Sequence, residues 1–192
     1  MIYIISGTNR KNSKSLEVAQ LVQKEFSQVG KETHIIDLCD LPFDTLHTAN
    51  YGANVPPKIA DIVKLLNKAE GLYLVVPEYN GSFPGVLKYF VDYFSYPETF
   101  EYRPVAFTGL GWRFGGLRPV EHLQQVFNYR NAFVYPDRLF IQNAPNVVQN
   151  GAIGDEKQVQ VLKRQVAGFV KFVDALKSHG LDANSVNQRK NN

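Results

Sequence analysis

Two short runs in this chain, Met1 to Ile5 and Gly71 to Val76, contain no charged or amide side chain and no alternation of polar with apolar residues. A strand with water on one face alternates with period two. A strand that does not alternate is covered on both faces, as in a parallel sheet between two layers of helix. The intervening segments supply those layers. Leu16, Ala19, Val22, Phe26 and Val29 fall three and four apart before Gly30, and Ile59, Ile62, Val63, Leu66 and Ala69 form a second such stripe. Both spacings predict amphipathic helices.

The same reading places a second strand at Thr33 to Asp37 and a helix opened by Pro84 with Val86, Leu87, Phe90, Val91 and Phe94 inward. A fourth strand follows at Val105 to Thr108, then a helix over Leu117 to Asn128. A fifth strand, Ala132 to Tyr135 with Leu139 to Ile141, is interrupted by Pro136-Asp137, and a last helix runs from Asp155 to Lys177. Pro42 to Pro57 has no period and reads as loop with a short helical piece. Asp182 to Asn192 is polar and is expected to fray, leaving one domain over residues 1–181. Strands alternating with helices predict an α/β fold, a three-layer flavodoxin-like sandwich whose five-stranded parallel sheet has the order 2-1-3-4-5. Ligands of such sheets bind beyond the carboxyl ends of the strands, where the order reverses between the first and third.

Composition excludes several classes. With 192 residues, 44% of them apolar and 20% charged, the chain is an ordinary globular mixture. The balance of 21 basic against 18 acidic side chains, +3, does not demand nucleic acid. Cys39 is the only cysteine, which excludes an internal disulfide, a thiolate zinc site and an iron–sulfur cluster. His34, His47, His122 and His179 lack metal-binding spacing, and Ser82 lies outside any G-x-S-x-G elbow, so no metal and no serine-hydrolase site is expected. No run approaches the ~18 apolar residues that span a bilayer. A soluble cytoplasmic protein without a membrane or nucleic-acid partner is the expectation. Among the dense aromatics from Tyr89 to Tyr102, Phe90 and Phe94 share the buried stripe, whereas Tyr89, Tyr93 and Tyr96 fall off it and suit a subunit contact or a wall over a ligand.

Three loops stand at the expected ligand edge. The first, Ser6 to Ser15, contains no acid. It leads into a helix start, and its hydroxyls (Thr8, Ser13, Ser15) and Arg10 suit a phosphate or a plain capped turn; Lys11 and Lys14 read as solvated. It matches neither the P-loop nor the dinucleotide fingerprint. The second, Pro77-Glu78-Tyr79-Asn80-Gly81-Ser82-Phe83-Pro84-Gly85, is stiffened by two prolines and turned by Asn-Gly, so it presents backbone donors and acceptors in a fixed array; taken alone it is equally a rigid turn. The third, Thr108 to Gly116, carries glycines at 109, 111, 115 and 116. Asp137, about 20 residues further on, imitates the ribose acid of a dinucleotide fold, but in the wrong unit of the sheet, and is read as coincidence.

Gly7-Thr8-x-Arg10-x-x-Ser13 after the first strand, together with Pro77-Glu78-Tyr79-Asn80-Gly81-Ser82-x-Pro84-Gly85-x-Leu87-Lys88 after the third, resembles the NADPH-dependent FMN reductase family over roughly Met1 to Lys177. The resemblance implies that Gly7, Thr8, Arg10, Ser13 and Ser15 hold the FMN phosphate. It implies that Pro77, Glu78, Tyr79, Asn80 and Gly81 line the isoalloxazine, with Gly109, Leu110, Gly111, Trp112, Gly115 and Gly116 on the ring's other side. Thr8 stands in place of the family's more usual Ser, Ser15 in place of a frequent Asn, and Tyr89 and Tyr93 in place of common Asn and Trp. The implied activity is transfer of hydride from NADPH or NADH to FMN and of electrons onward to a small-molecule acceptor such as free flavin, quinone or azo compound. No catalytic side chain is required, and the family's habit is a homodimer or homotetramer. Two alternatives stand beside it. A flavodoxin-like electron carrier would be expected to be strongly acidic, and a nicotinamide-binding protein using the glycine loop would bind no flavin.

Overall fold

The computed structural model describes residues 1–42 and 55–190, so most of the Pro42–Pro57 loop lies outside the described residues. The strands β1 (Ile2–Ser6), β2 (Thr33–Asp37), β3 (Gly71–Pro77), β4 (Pro104–Leu110) and β5 (Phe133–Val134) form a sheet of order β2-β1-β3-β4-β5. All pairs are parallel, and β6 (Leu139–Ile141) also pairs with β4. Every residue of β1, β3 and β4 is buried, as expected for unbroken apolar runs. Tyr3, Ile5, Leu74 and Phe107 face a layer made by α2 (Pro57–Leu66), α3 (Gly85–Val91) and α4 (Leu117–Tyr129). Ile2, Ile4, Tyr73 and Val75 face α1 (Lys14–Gln28) and α6 (Glu156–Ser178). The fifth strand is two pieces because the chain bonds to β4 through Tyr135 N–H to the Val105 oxygen at 2.8 Å and then meets Pro136, which has no N–H to continue the ladder.

Two features depart from expectation. After β6 the chain forms a short helix α5 (Ala144–Val147) and a hairpin of β7 (Val148–Gln149) and β8 (Ala152–Ile153), turned by Asn150 and Gly151 at positive φ of 52° and 70°. The polar segment from 182 onward, expected to fray, instead carries helix α7 (Ala183–Lys190). Asp182 caps it by accepting from Asn184 N–H at 3.1 Å, and Ala183 is buried with its N–H on the Tyr102 oxygen at 3.1 Å. Hydrogen bonds rather than an apolar stripe hold this segment, so periodicity gives no sign of it.

The amino-terminal edge of the sheet has its own electrostatic clasp. Glu70 meets Lys177 at 2.7 Å, the Met1 amino group at 2.7 Å and Lys31 at 3.2 Å. Burial by itself would raise this carboxyl, but the hydrogen bonds from Lys177, the amino group and Lys31 outweigh it and hold the pKa at about 2, against an ordinary 4.5. The native state therefore keeps the charge where the unfolded chain takes up a proton. The clasp stabilises fully above pH 4.5 and is lost as pH falls through about 2. Solvent screening at this partly exposed group reduces its worth to about 1 kcal/mol. Glu70→Gln is expected to lower Tm at pH 7 by a few degrees, and thermal melts across the acid range should show the gap from wild type closing below pH 4. A gap independent of pH would contradict the assignment.

Candidate functional site

Gly7 follows β1 and passes hard against β3. Its N–H donates to the Val75 oxygen at 2.9 Å, and a Cβ there would lie 2.7 Å from that oxygen, so only glycine lets the chain turn at this point. Thr8 is 1% exposed, and its Oγ1 lies 2.6 Å from the Tyr79 hydroxyl while accepting from Arg10 N–H at 3.3 Å. The Arg10 guanidinium stacks 4.4 Å from the centre of the Tyr79 ring. Ser13 is extended and caps α1, accepting from Leu16 N–H at 3.1 Å, and Ser15 is buried in the first turn. Lys14 pairs with Glu17 at 2.8 Å.

The second loop is tied on both sides. Glu78 N–H donates to the Leu110 oxygen at 2.9 Å; Tyr79 and Ser82 exchange backbone bonds of 2.8 and 3.0 Å across Asn80 and Gly81, whose φ values are 50° and 79°. That closed turn aims the Tyr79 side chain back at the first loop. The third loop folds on itself. Gly116, at φ 80°, leaves room for no Cβ, which would stand 2.5 Å from Leu110 N. Gly111 is fastened to the segment after β6 through the Ile141 oxygen at 3.2 Å and Ala144 N–H at 3.0 Å.

Together the loops enclose a cavity of about 310 Å³ at the carboxyl ends of β1, β3 and β4. Ten of the expected site residues line it: Thr8, Arg10, Ser13, Ser15, Pro77, Glu78, Tyr79, Leu110, Gly111 and Trp112. Gly7, Asn80, Gly81, Gly109, Gly115 and Gly116 stand behind its wall, where they shape the turns. Lys11 and Lys14, read as solvated, also line it, as do Asn12, Ala144 and Pro145. The last two follow β6, and the rule that ligands sit beyond strand carboxyl ends points to them once β6 is recognised as part of the sheet. Glu78 is the only acid in the lining among the described residues. One end of the cavity is therefore a cluster of hydroxyls, amide N–H groups and cations suited to a dianion, and the other is stiff backbone suited to a flat polar edge.

Neighbouring groups expected at the site lie elsewhere. Asp137 is held by Arg164 through bonds of 2.9 and 3.2 Å. Tyr93, expected off the buried stripe, is 6% exposed with its ring against Tyr89, and neither tyrosine lines the cavity. A larger groove of about 470 Å³ runs between α3 and α4 and includes the exposed Tyr96 and Tyr129.

Residues 1–146 match the family model of NADPH-dependent FMN reductase. The chain belongs to this family. Its members are NAD(P)H-dependent FMN oxidoreductases, and so is this chain. It is 29% identical over 168 residues to an NAD(P)H:quinone oxidoreductase of Solanum tuberosum, covering 83% of this chain and 85% of that one. It is also 29% identical over 150 residues to an NAD(P)H-dependent FMN reductase of Pseudomonas aeruginosa, covering 74% and 80%. Among solved structures, the flavoenzyme NAD(P)H:(acceptor) oxidoreductase FerB of Paracoccus denitrificans superposes with a TM-score of 0.71 at 22% identity over 91% of this chain and 97% of that one, a likeness of fold. The FMN reductase signature thus falls on the loops that build the cavity.

Proposed function

We propose that FMN lies in this cavity with its phosphate on Thr8, Arg10, Ser13 and Ser15 and its ring system between Pro77–Tyr79 and the Gly109–Gly116 loop. The observation that carries this reading is the juxtaposition of an acid-free, hydroxyl- and cation-lined end with a proline-stiffened backbone wall in one crevice. Bound FMN supplies the redox chemistry, taking hydride from NAD(P)H and passing electrons to an acceptor. The chain's own residues orient and enclose. Ser13 and the first turn of α1 direct N–H groups at the phosphate end. The Thr8–Tyr79 pair holds two hydroxyl protons, one shared between them, which leaves the other to donate outward. The Pro77–Tyr79 backbone, fixed by Glu78 N–H on Leu110, presents donors to the ring edge.

The acceptor is a planar two-electron oxidant, a quinone, free flavin or azo compound. The half-open cavity lip with exposed Trp112 supports this class, as does the quinone oxidoreductase relative. The α3–α4 groove, where Arg130 stacks on Tyr96 at 4.6 Å and on Tyr129 at 5.1 Å, supports assembly as a homodimer or homotetramer. No helix among the described residues is long and apolar enough to cross a membrane, and the single cysteine agrees with residence in the cytoplasm.

Anaerobic addition of NADPH, then NADH, to the FMN-loaded protein tests the activity. Bleaching near 450 nm within seconds, reversed by benzoquinone, is the expected result, with parallel double-reciprocal plots from one site used alternately. Flavin that stays yellow until a partner reductase is added would make the protein an electron carrier instead.

A further inference from the structure

The lip of the cavity carries a second constellation that the FMN reading does not use. Trp112, 65% exposed, lines the cavity mouth, and Phe114, 40% exposed, follows two residues on. Two guanidiniums flank the Phe114 ring, Arg113 at 5.4 Å and Arg118 at 5.1 Å from its centre. Both arginines are exposed, and neither has a carboxylate within ion-pairing distance among the described residues. The support beneath them is rigid. The Trp112 oxygen accepts from Asn143 N–H at 2.8 Å, Phe114's oxygen accepts from Leu117 N–H at 3.0 Å, and Gly115 lies so close to Phe140 that a Cβ there would meet its carbonyl carbon at 2.8 Å.

Two unpaired cations held on one aromatic face repel each other, and two large rings left in water lose burial. A ligand with a flat heterocycle and a dianion close together would relieve both. The heterocycle stacks on Trp112 and Phe114, while the dianion takes forked hydrogen bonds from both guanidiniums. The geometry points to Arg113, Phe114 and Arg118 as the subsite for the 2′-phosphoadenosine end of NADPH, which makes this enzyme choose NADPH over NADH. The inference rests on the reading of the adjoining cavity as the flavin site, since the nicotinamide end must reach that cavity while the adenosine lies on its lip. The 2′-phosphate carries the discrimination because NADH has a neutral hydroxyl there and is otherwise identical.

The test separates the subsite from the flavin site. Adenosine 2′,5′-bisphosphate and AMP are titrated calorimetrically into the FMN-free protein, a measurement that needs no flavin. NADPH and NADH kinetics are then taken on the FMN-loaded protein. Wild type is expected to bind the bisphosphate about 10- to 100-fold more tightly than AMP, the range of one or two charge-assisted contacts. In Arg113→Ala/Arg118→Ala that preference should vanish, and KM for NADPH should rise by a similar factor while KM for NADH, kcat and FMN affinity stay put. The conservative Arg113→Lys/Arg118→Lys pair should recover part of the preference. Equal affinity of wild type for the two nucleotides overturns the proposal, as does an equal rise in both KM values, which would place the pyrophosphate on these arginines. A wild-type protein that prefers the bisphosphate but takes up no FMN would retain the subsite and instead refute the flavin assignment of the cavity.

Discussion

Arg103→Met is expected to destabilise the protein by about 3–5 kcal/mol, the cost of leaving several buried acceptors without a donor, and to lower Tm by about 10 °C. The side chain is 1% exposed just before β4, at the end of the sheet opposite the cavity. Its guanidinium donates to the Ala69 oxygen, to the Asn67 and Glu98 oxygens at 2.7 Å each, and to Asn184 Oδ1 at 3.1 Å. One charge therefore gathers the α2–β3 connection, the turn before β4 and the start of α7. Burial pulls its pKa down to about 10, with Asp182 opposing, so the group remains a cation at neutral pH. Methionine fills much of the volume but donates nothing, and three carbonyls lose their partner together. Because the cavity is remote, the folded fraction should keep wild-type FMN affinity. A loss below 1 kcal/mol by chemical denaturation, or a fall in FMN affinity at temperatures where the variant is folded, would contradict this account.

Arg10→Ala should weaken FMN about 30- to 100-fold, as expected for one charge-assisted contact to a dianion, and leave riboflavin within a factor of about three. Arg10 is prepared for that role. Its guanidinium is held over the Tyr79 ring at 4.4 Å and has no carboxylate partner among the described residues. The neighbouring Lys14, by contrast, is engaged with Glu17. Tyr79→Phe removes one of the two hydroxyl protons of the Thr8–Tyr79 pair and should cost only a few-fold. Fluorescence titration with both flavins reads the difference, since FMN quenches on binding. Equal losses for FMN and riboflavin in Arg10→Ala would mean that the arginine supports the loop rather than the phosphate.

The strands and the ligand edge were legible because burial on both faces leaves a pattern no other structure needs. β2 is Thr33–Asp37 as read, and the interruption at Pro136-Asp137 divides β5 from β6. The three loops were found by position, at the ends of those strands. What periodicity hides is structure held by polar contacts between distant residues. Thr8 and Tyr79 stand 71 residues apart, and Arg103 and Asn184 81 apart. Neither pairing leaves a local signal. For the same reason the expected frayed tail proved to contain α7, and Tyr93, off its helical stripe, proved buried. Ala144 and Pro145 reach the cavity because Gly111 draws their segment in, again through backbone bonds that side-chain chemistry does not announce.

The most direct test of the central claim is a crystal structure of the protein grown with saturating FMN. The phosphate should lie within hydrogen-bonding distance of Arg10, Ser13 and Ser15, with the tricyclic ring along Pro77–Tyr79 and its opposite side against Gly111 and Trp112. FMN seated in the α3–α4 groove, or the cavity between ordered loops left empty at full occupancy of the nucleotide elsewhere, would contradict it.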